Sequence, residues 1–148
     1  MKKLMLTLLV LTFLYSKASS QTTDIAAIKK TIEAEKAASD AANYKAYLSH
    51  WVKAPYSSFL YNGILLTGDA LWKTMDERWA KAKARKVNNT RSDWNIHIKG
   101  DAAYVTFNQH SEDIEKNKIT ETVEGRFLEK IGNEWKIVNM TAVTKAKQ

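Results

Sequence analysis

The chain contains no cysteine. That excludes disulfides, thiolate nucleophiles and cysteine metal centres, so packing alone must stabilise the fold. It has one proline and five glycines. So few leave no room for a long Pro/Gly linker, and there is no glycine-rich phosphate loop, serine elbow or nucleophilic triad. The three histidines, His50, His97 and His110, fall at no metal-ligand spacing. No metal or other cofactor is therefore expected. No uncharged run is long enough to span a bilayer comfortably. The apolar run from Leu4 to Tyr15 follows Lys2 and Lys3 and precedes the small residues Ala18, Ser19 and Ser20. That order reads as a secretory signal peptide over residues 1–20, cut after Ala18 or Ser20. It places the remaining residues 21–148 in the periplasm or outside the cell. Without a lipobox cysteine, lipid anchoring at this end is excluded.

At 148 residues the chain is long enough for one domain. Loss of Lys2, Lys3 and Lys17 with the leader lowers the formal charge from +7 to +4, since no acidic residue leaves with them. So modest an excess does not imply a nucleic-acid partner. Aromatics are plentiful, with five tryptophans and six tyrosines to fill a small core.

From Thr22 the pattern becomes helical. Ile25, Ile28 and Ile32 recur at helical spacing, with Thr22 or Thr23 as cap and Asp24 at the positive end. Ser39 and Asp40 read as a break, with Asp40 capping a second helix through Tyr44, Tyr47, Leu48 and Trp51 that Pro55 ends. Asn62-Gly63 between short apolar runs predicts a hairpin. Thr67-Gly68-Asp69 opens a third helix reaching Lys86, with Leu71, Trp72, Met75, Trp79 and Ala82 inward and a basic end that suits the helix dipole. The remainder alternates as strands: Trp94, Ile96 and Ile98 on one face, then Ala103, Val105 and Phe107. Two further runs follow, with Gly125 a candidate bulge. Short turns join them into an antiparallel meander.

Helices, small hairpin, third helix and long meander follow the plan of the nuclear transport factor 2-like superfamily. The stretch from Glu33 to WVKAPY, the GDAL helix start, IKGDAAYVTF and EGRFLEKIGNEWKIVNM resemble SnoaL-like and ketosteroid isomerase-like small exported members. The resemblance covers Asp24 to about Lys145. It implies an α+β cone: N-terminal helices packed on a strongly bent, mostly antiparallel sheet, with an open-ended cavity between. Relatives use that cavity for isomerase, dehydratase or cyclase chemistry, or use the fold for assembly, so the fold leaves function open.

Glu124 and Arg126 share a strand face, as do Asn139 and Thr141. In association-domain relatives, an arginine matching Arg126 and polar residues matching Asn139 and Thr141 line the cavity. Where those relatives often carry histidine, this chain has Asn139, which argues against acid–base work there. Arg126 is thus a candidate anchor for a carboxylate or carbonyl. The competing reading is an internal Glu124–Arg126 ion pair. Tyr56, Tyr44, Trp51, Trp94 and Gln109 are candidate cavity residues, Tyr44 and Trp51 being equally suited to the core. Glu124 and Asp40 are the only candidate bases. Asn88-Asn89-Thr90 matches a glycosylation sequon.

Three functions follow as expectations. The first is an exported pocket protein for a small, partly apolar acidic or carbonyl ligand. The second is a lyase, isomerase or cyclase. The third is an assembly module dimerising through an outer sheet face that carries Asn95, His97, Tyr104 and Thr106. Whether the protein is an enzyme stays open at this point.

Overall fold

The structure, a computed structural model, describes the backbone of residues 2–146 and the side chains of residues 21–146. A long helix, α1 (Lys2–Asp40), is followed by α2 (Tyr44–Ser49), the hairpin β1 (Ser58–Tyr61) and β2 (Ile64–Thr67), and α3 (Gly68–Trp79). Four long strands complete the chain: β3 (Val87–Lys99), β4 (Ala102–Asp113), β5 (Lys118–Ile131) and β6 (Glu134–Thr144). They form one sheet in the order β2-β1-β6-β5-β4-β3. Only the β1–β6 pairing is parallel. This is the α+β architecture expected from the element order. Among the described residues, no helix is long and apolar enough to cross a membrane.

The hairpin forms where Asn62-Gly63 places it. Both residues have positive φ, 46° and 87°, as a type I′ turn requires. Helix α1 docks on the sheet through Ile28 and Ile32, which are fully buried. The Asp24 carboxylate accepts hydrogen bonds from Lys130 Nζ at 2.7 Å and Trp135 Nε1 at 3.0 Å. Thr22, Thr23 and Asp24 are therefore interior to α1 and do not cap it. Asp40 ends α1, and the cap of α2 is Asn43, whose side chain accepts from Ala46 N. Helix α2 stops at Ser49, well before Pro55, and Trp51 instead makes a parallel bridge to Ile137. Helix α3 stops at Trp79, so Lys81, Lys83, Arg85 and Lys86 lie in the connection to β3 rather than on a helix end, and Ala82 is exposed.

Two bulges bend the sheet. In β3, Ser92 pairs with Asn108 and Asn95 with Thr106, so Asp93 and Trp94 together oppose Phe107. Asp93 takes φ 55° there, and its carboxylate accepts from Ser92 Oγ and Asn108 Nδ2. In β6, Asn139 pairs with Phe127 and Ile137 with Leu128, leaving Val138 as the extra residue. An extra residue reverses which face the following side chains occupy. Gly125 is regularly paired with Thr106 and Thr141 and is not a bulge.

Candidate functional site

The inner face of the sheet changes character along its length. Ala103, Val105 and Leu128 pack against the helices at one end. At the other, Gln109, Thr122, Glu124 and Arg126 are buried polar groups on the same face. Between them and the helices lies a cavity of about 390 Å³. Glu35, Tyr47, Met75, Trp79, Gln109 and Glu124 line its interior, and the exposed Arg78, Lys83 and Arg85 stand at its mouth with Lys36.

Glu35 reaches the cavity because it occupies the buried stripe of α1. Ile28, Ile32 and Glu35 are spaced i, i+4 and i+7, on one helical face. Its residue is 3% exposed, and the carboxyl pKa is pushed upward. Loss of solvation is the main cause, the Arg126 charge opposes it, and the Glu124 charge adds to it. The Trp51 indole N–H also lowers it, although that N–H makes no hydrogen bond of good geometry. Tyr47, on α2, is raised as well, first by burial and then by the Glu35 charge. Around Tyr47 stand Trp79, with ring centroids 4.8 Å apart, and Trp51 at 5.9 Å. A carboxyl favouring its acid form and a phenol then line one cavity, and both can donate to a carbonyl or developing oxyanion.

Arg126 forms an internal ion pair. Its Nη2 donates to Glu124 Oε2 at 2.5 Å and its Nη1 to Gly125 O at 3.0 Å, and the residue is 2% exposed. Thr122 Oγ1 donates to the other Glu124 oxygen at 2.9 Å. Glu124 thus reaches the cavity wall already partnered, and Arg126 lies beneath that wall. Gln109 lines the cavity with its Nε2 given to Ser111 Oγ, while its buried Oε1 has no partner.

The other sequence candidates are elsewhere. Asn139 and Thr141 follow the Val138 bulge, so Met140 and Ala142 face inward and pair with Arg126 and Glu124. Asn139 instead donates to Ser58 Oγ at 2.6 Å, away from the Glu124–Arg126 face. Tyr56 is 60% exposed and its hydroxyl donates to Glu129. Tyr44 stacks on Trp79 at 5.0 Å and donates to Asp76, outside the cavity lining. Trp51 is core, edge-on to Trp72. Trp94 packs on Phe107 at 4.6 Å and lines a separate groove between α1 and β3. Asp40 sits in that groove too. Its carboxylate accepts from Lys36, Arg85 and Asn89. Glu35 and Tyr47 were not among the sequence-derived site residues. The signal for Glu35 was a carboxylate on an isoleucine stripe. Among the described residues, no group of histidine and acidic side chains could hold a metal ion.

No family model and no curated protein matches the sequence. Solved structures do match in fold. A protein from Streptomyces avermitilis, described as a candidate dehydratase of the NTF2-like family, superposes with a TM-score of 0.72 at 16% identity, over 86% of this chain and 99% of that one. The CamKII hub homology domain of Chlamydomonas reinhardtii gives 0.70 at 18% identity, over 83% and 99%. An NTF2-like protein with a cystatin-like fold from Novosphingobium aromaticivorans gives 0.70 at 12%, over 90% and 89%.

Proposed function

We propose that this chain, which has the nuclear transport factor 2-like fold, binds a small, partly apolar molecule bearing a carbonyl or acidic group, outside the cytoplasm and after loss of residues 1–20. One observation carries the reading: the buried Glu35 carboxyl group opens onto an aromatic-walled cavity that other side chains leave unfilled. Buried acids are expensive, and in a cleft they are candidates for ligand contact. Glu35 and Tyr47 supply donors to the ligand oxygen, Gln109 supplies an acceptor, and Arg78 and Lys83 favour approach of a negatively polarised group. Among the described side chains, Asp24, Ile28, Ile32 and Glu35 tie α1 to the rest of the fold, and loss of residues 1–20 leaves those contacts in place.

Calorimetric titration with cyclic enones and lactones tests the pocket. Saturable binding is expected, weakened at least about tenfold, or about 1.4 kcal/mol, by Met75→Trp, which fills the cavity, and by Glu35→Leu. No saturable binding, or binding unchanged in Met75→Trp, overturns the reading. The same mixtures, followed for product, separate binding from lyase or isomerase turnover.

A second reading has its own observation. On the opposite face of the sheet, Tyr104, Val123 and Val143 are exposed and Phe127 half-buried, an apolar patch beside Thr106 and Thr141. Such a face suits association with a second copy of the chain. Light scattering should show a dimer that Tyr104→Glu converts to monomer. A wild-type monomer at all concentrations ends this reading.

A further inference from the structure

Among the described residues, Arg126, Lys36 and Arg85 beside the α1–sheet interior each have an acidic partner. Arg126 is taken by Glu124, 2.5 Å away. Lys36 and Arg85 are both taken by Asp40, at 2.5 and 2.8 Å. Arg91 is left over. It lies on the inner face of β3 opposite Gln109, because the Asp93 bulge keeps both Arg91 and Trp94 pointing inward. Its guanidinium stands 5.7 Å from the Phe107 ring centroid, and Arg126 stands 5.5 Å from the same ring. Among the described residues no ion pair or hydrogen bond reaches the Arg91 guanidinium, whose buried Nε–H has no partner. Burial lowers its pKa, opposed chiefly by the Glu124 charge. A half-buried guanidinium held over an aromatic ring and left without an acceptor is an unusual expense for structure alone.

We propose that Arg91 anchors the carboxylate of a small organic acid lying in the groove between α1 and β3. The groove has a volume of about 580 Å³ and is separate from the cavity under Glu35, with which it shares only Lys36 and Arg85. Its floor offers the two things such an acid needs. The planar guanidinium presents paired N–H donors for a carboxylate. Trp94, packed at a tilt against Phe107, presents a flat apolar surface beside Ala37, Ala41 and Val87 for the attached body. Glu33 also lines the groove at its exposed side and competes for Arg91 through its field without bonding to it. The inference does not depend on the Glu35 cavity, and its probe differs.

Benzoate is that probe, added to the whole protein while the arginine Nε–Hε and tryptophan indole N–H resonances are followed. The Arg91 resonance should move downfield saturably, with the Trp94 indole. Arg91→Gln should weaken binding at least about tenfold, and Arg91→Lys, which keeps charge but not the paired donors, should fall between. Met75→Trp should leave benzoate binding unchanged, which keeps this result distinct from the cavity reading. An Arg91 resonance that never moves, or equal affinity in Arg91→Gln, overturns the assignment. So does inorganic phosphate binding as well as benzoate, since that would mark an anion site with no use for Trp94.

Discussion

Asp40 holds Arg85 twice: its carboxylate accepts from Arg85 Nη2 at 2.8 Å, and its backbone carbonyl accepts from Arg85 N at 2.8 Å. The first contact ties the connection between α3 and β3, which shapes the cavity mouth, to the end of α1. Lys36 and Asn89 bond to the same carboxylate. Asp40→Ala removes the acceptor for all three. Hydrogen bonds to charged groups contribute about 2 kcal/mol each at most sites of this kind, and Arg85 can turn to water when released. A net loss of about 2 kcal/mol in urea unfolding is expected, with faster amide exchange at Arg85. A loss under about 0.5 kcal/mol would mean the contact is incidental.

Glu124 and Arg126 should behave as a unit. Removing either partner leaves a buried charge, which costs about 3–5 kcal/mol. Replacing both with apolar residues of similar size removes the desolvation penalty with the attraction. Glu124→Leu and Arg126→Met should each be strongly destabilising, and the double variant less so than either single. Denaturant unfolding of the four proteins gives the cycle directly. Additive losses would show that the two side chains contribute independently.

The order of elements was legible in the sequence, because each rests on a local rule. Asn62-Gly63 dictates its turn, and the isoleucine spacing dictates α1. The inner face of the sheet was half legible. Strict alternation places Val105, Phe107 and Gln109 together, and Glu124 with Arg126, as found. It fails across the Val138 bulge, which carries neither glycine nor any other local mark, and so Asn139 and Thr141 were assigned to the wrong company. Glu35 was legible and passed over: a carboxylate in phase with Ile28 and Ile32 cannot avoid the interior. Arg91 was not singled out, because the polar residues from Asn88 to Ser92 disguise the first half of β3.

Gly68 is a glycine for two reasons that can be separated. Its φ is +49°, and a Cβ there would stand 2.9 Å from the Pro55 carbonyl oxygen. Gly132 has φ +63° with open space where a Cβ would be. Left-handed backbone costs an alanine about 1–2 kcal/mol. Gly132→Ala should lose about that much. Gly68→Ala should lose more, because the backbone neighbour cannot swing away as a side chain can. Thermal unfolding of the two variants measures the difference. Equal losses would show that the Pro55 segment relaxes without cost.

The strongest pH signature belongs to Glu35. Burial raises its pKa in the fold above the ordinary 4.5, while the unfolded chain titrates near an unperturbed value of about 4.3. Below that value both states hold the proton, and burial carries no ionisation penalty. As pH rises past it the unfolded chain ionises first, so stability falls until the folded-state pKa is passed and then stays lower. Glu35→Gln keeps the size and a donor but cannot ionise. It should therefore match the wild type near pH 4 and exceed it in stability near pH 7. Asp24, whose pKa is lowered chiefly by the Lys130 hydrogen bond, works in the opposite sense: its contribution is present above the unfolded carboxylate pKa and is lost as pH falls through its own. That loss occurs in both proteins and cancels in the difference. Urea unfolding of the pair at both pH values isolates Glu35. A gap that does not change with pH would show that Glu35 is not kept from ionising, and the hydrogen-bond donor assigned to the cavity would then have to come from Tyr47.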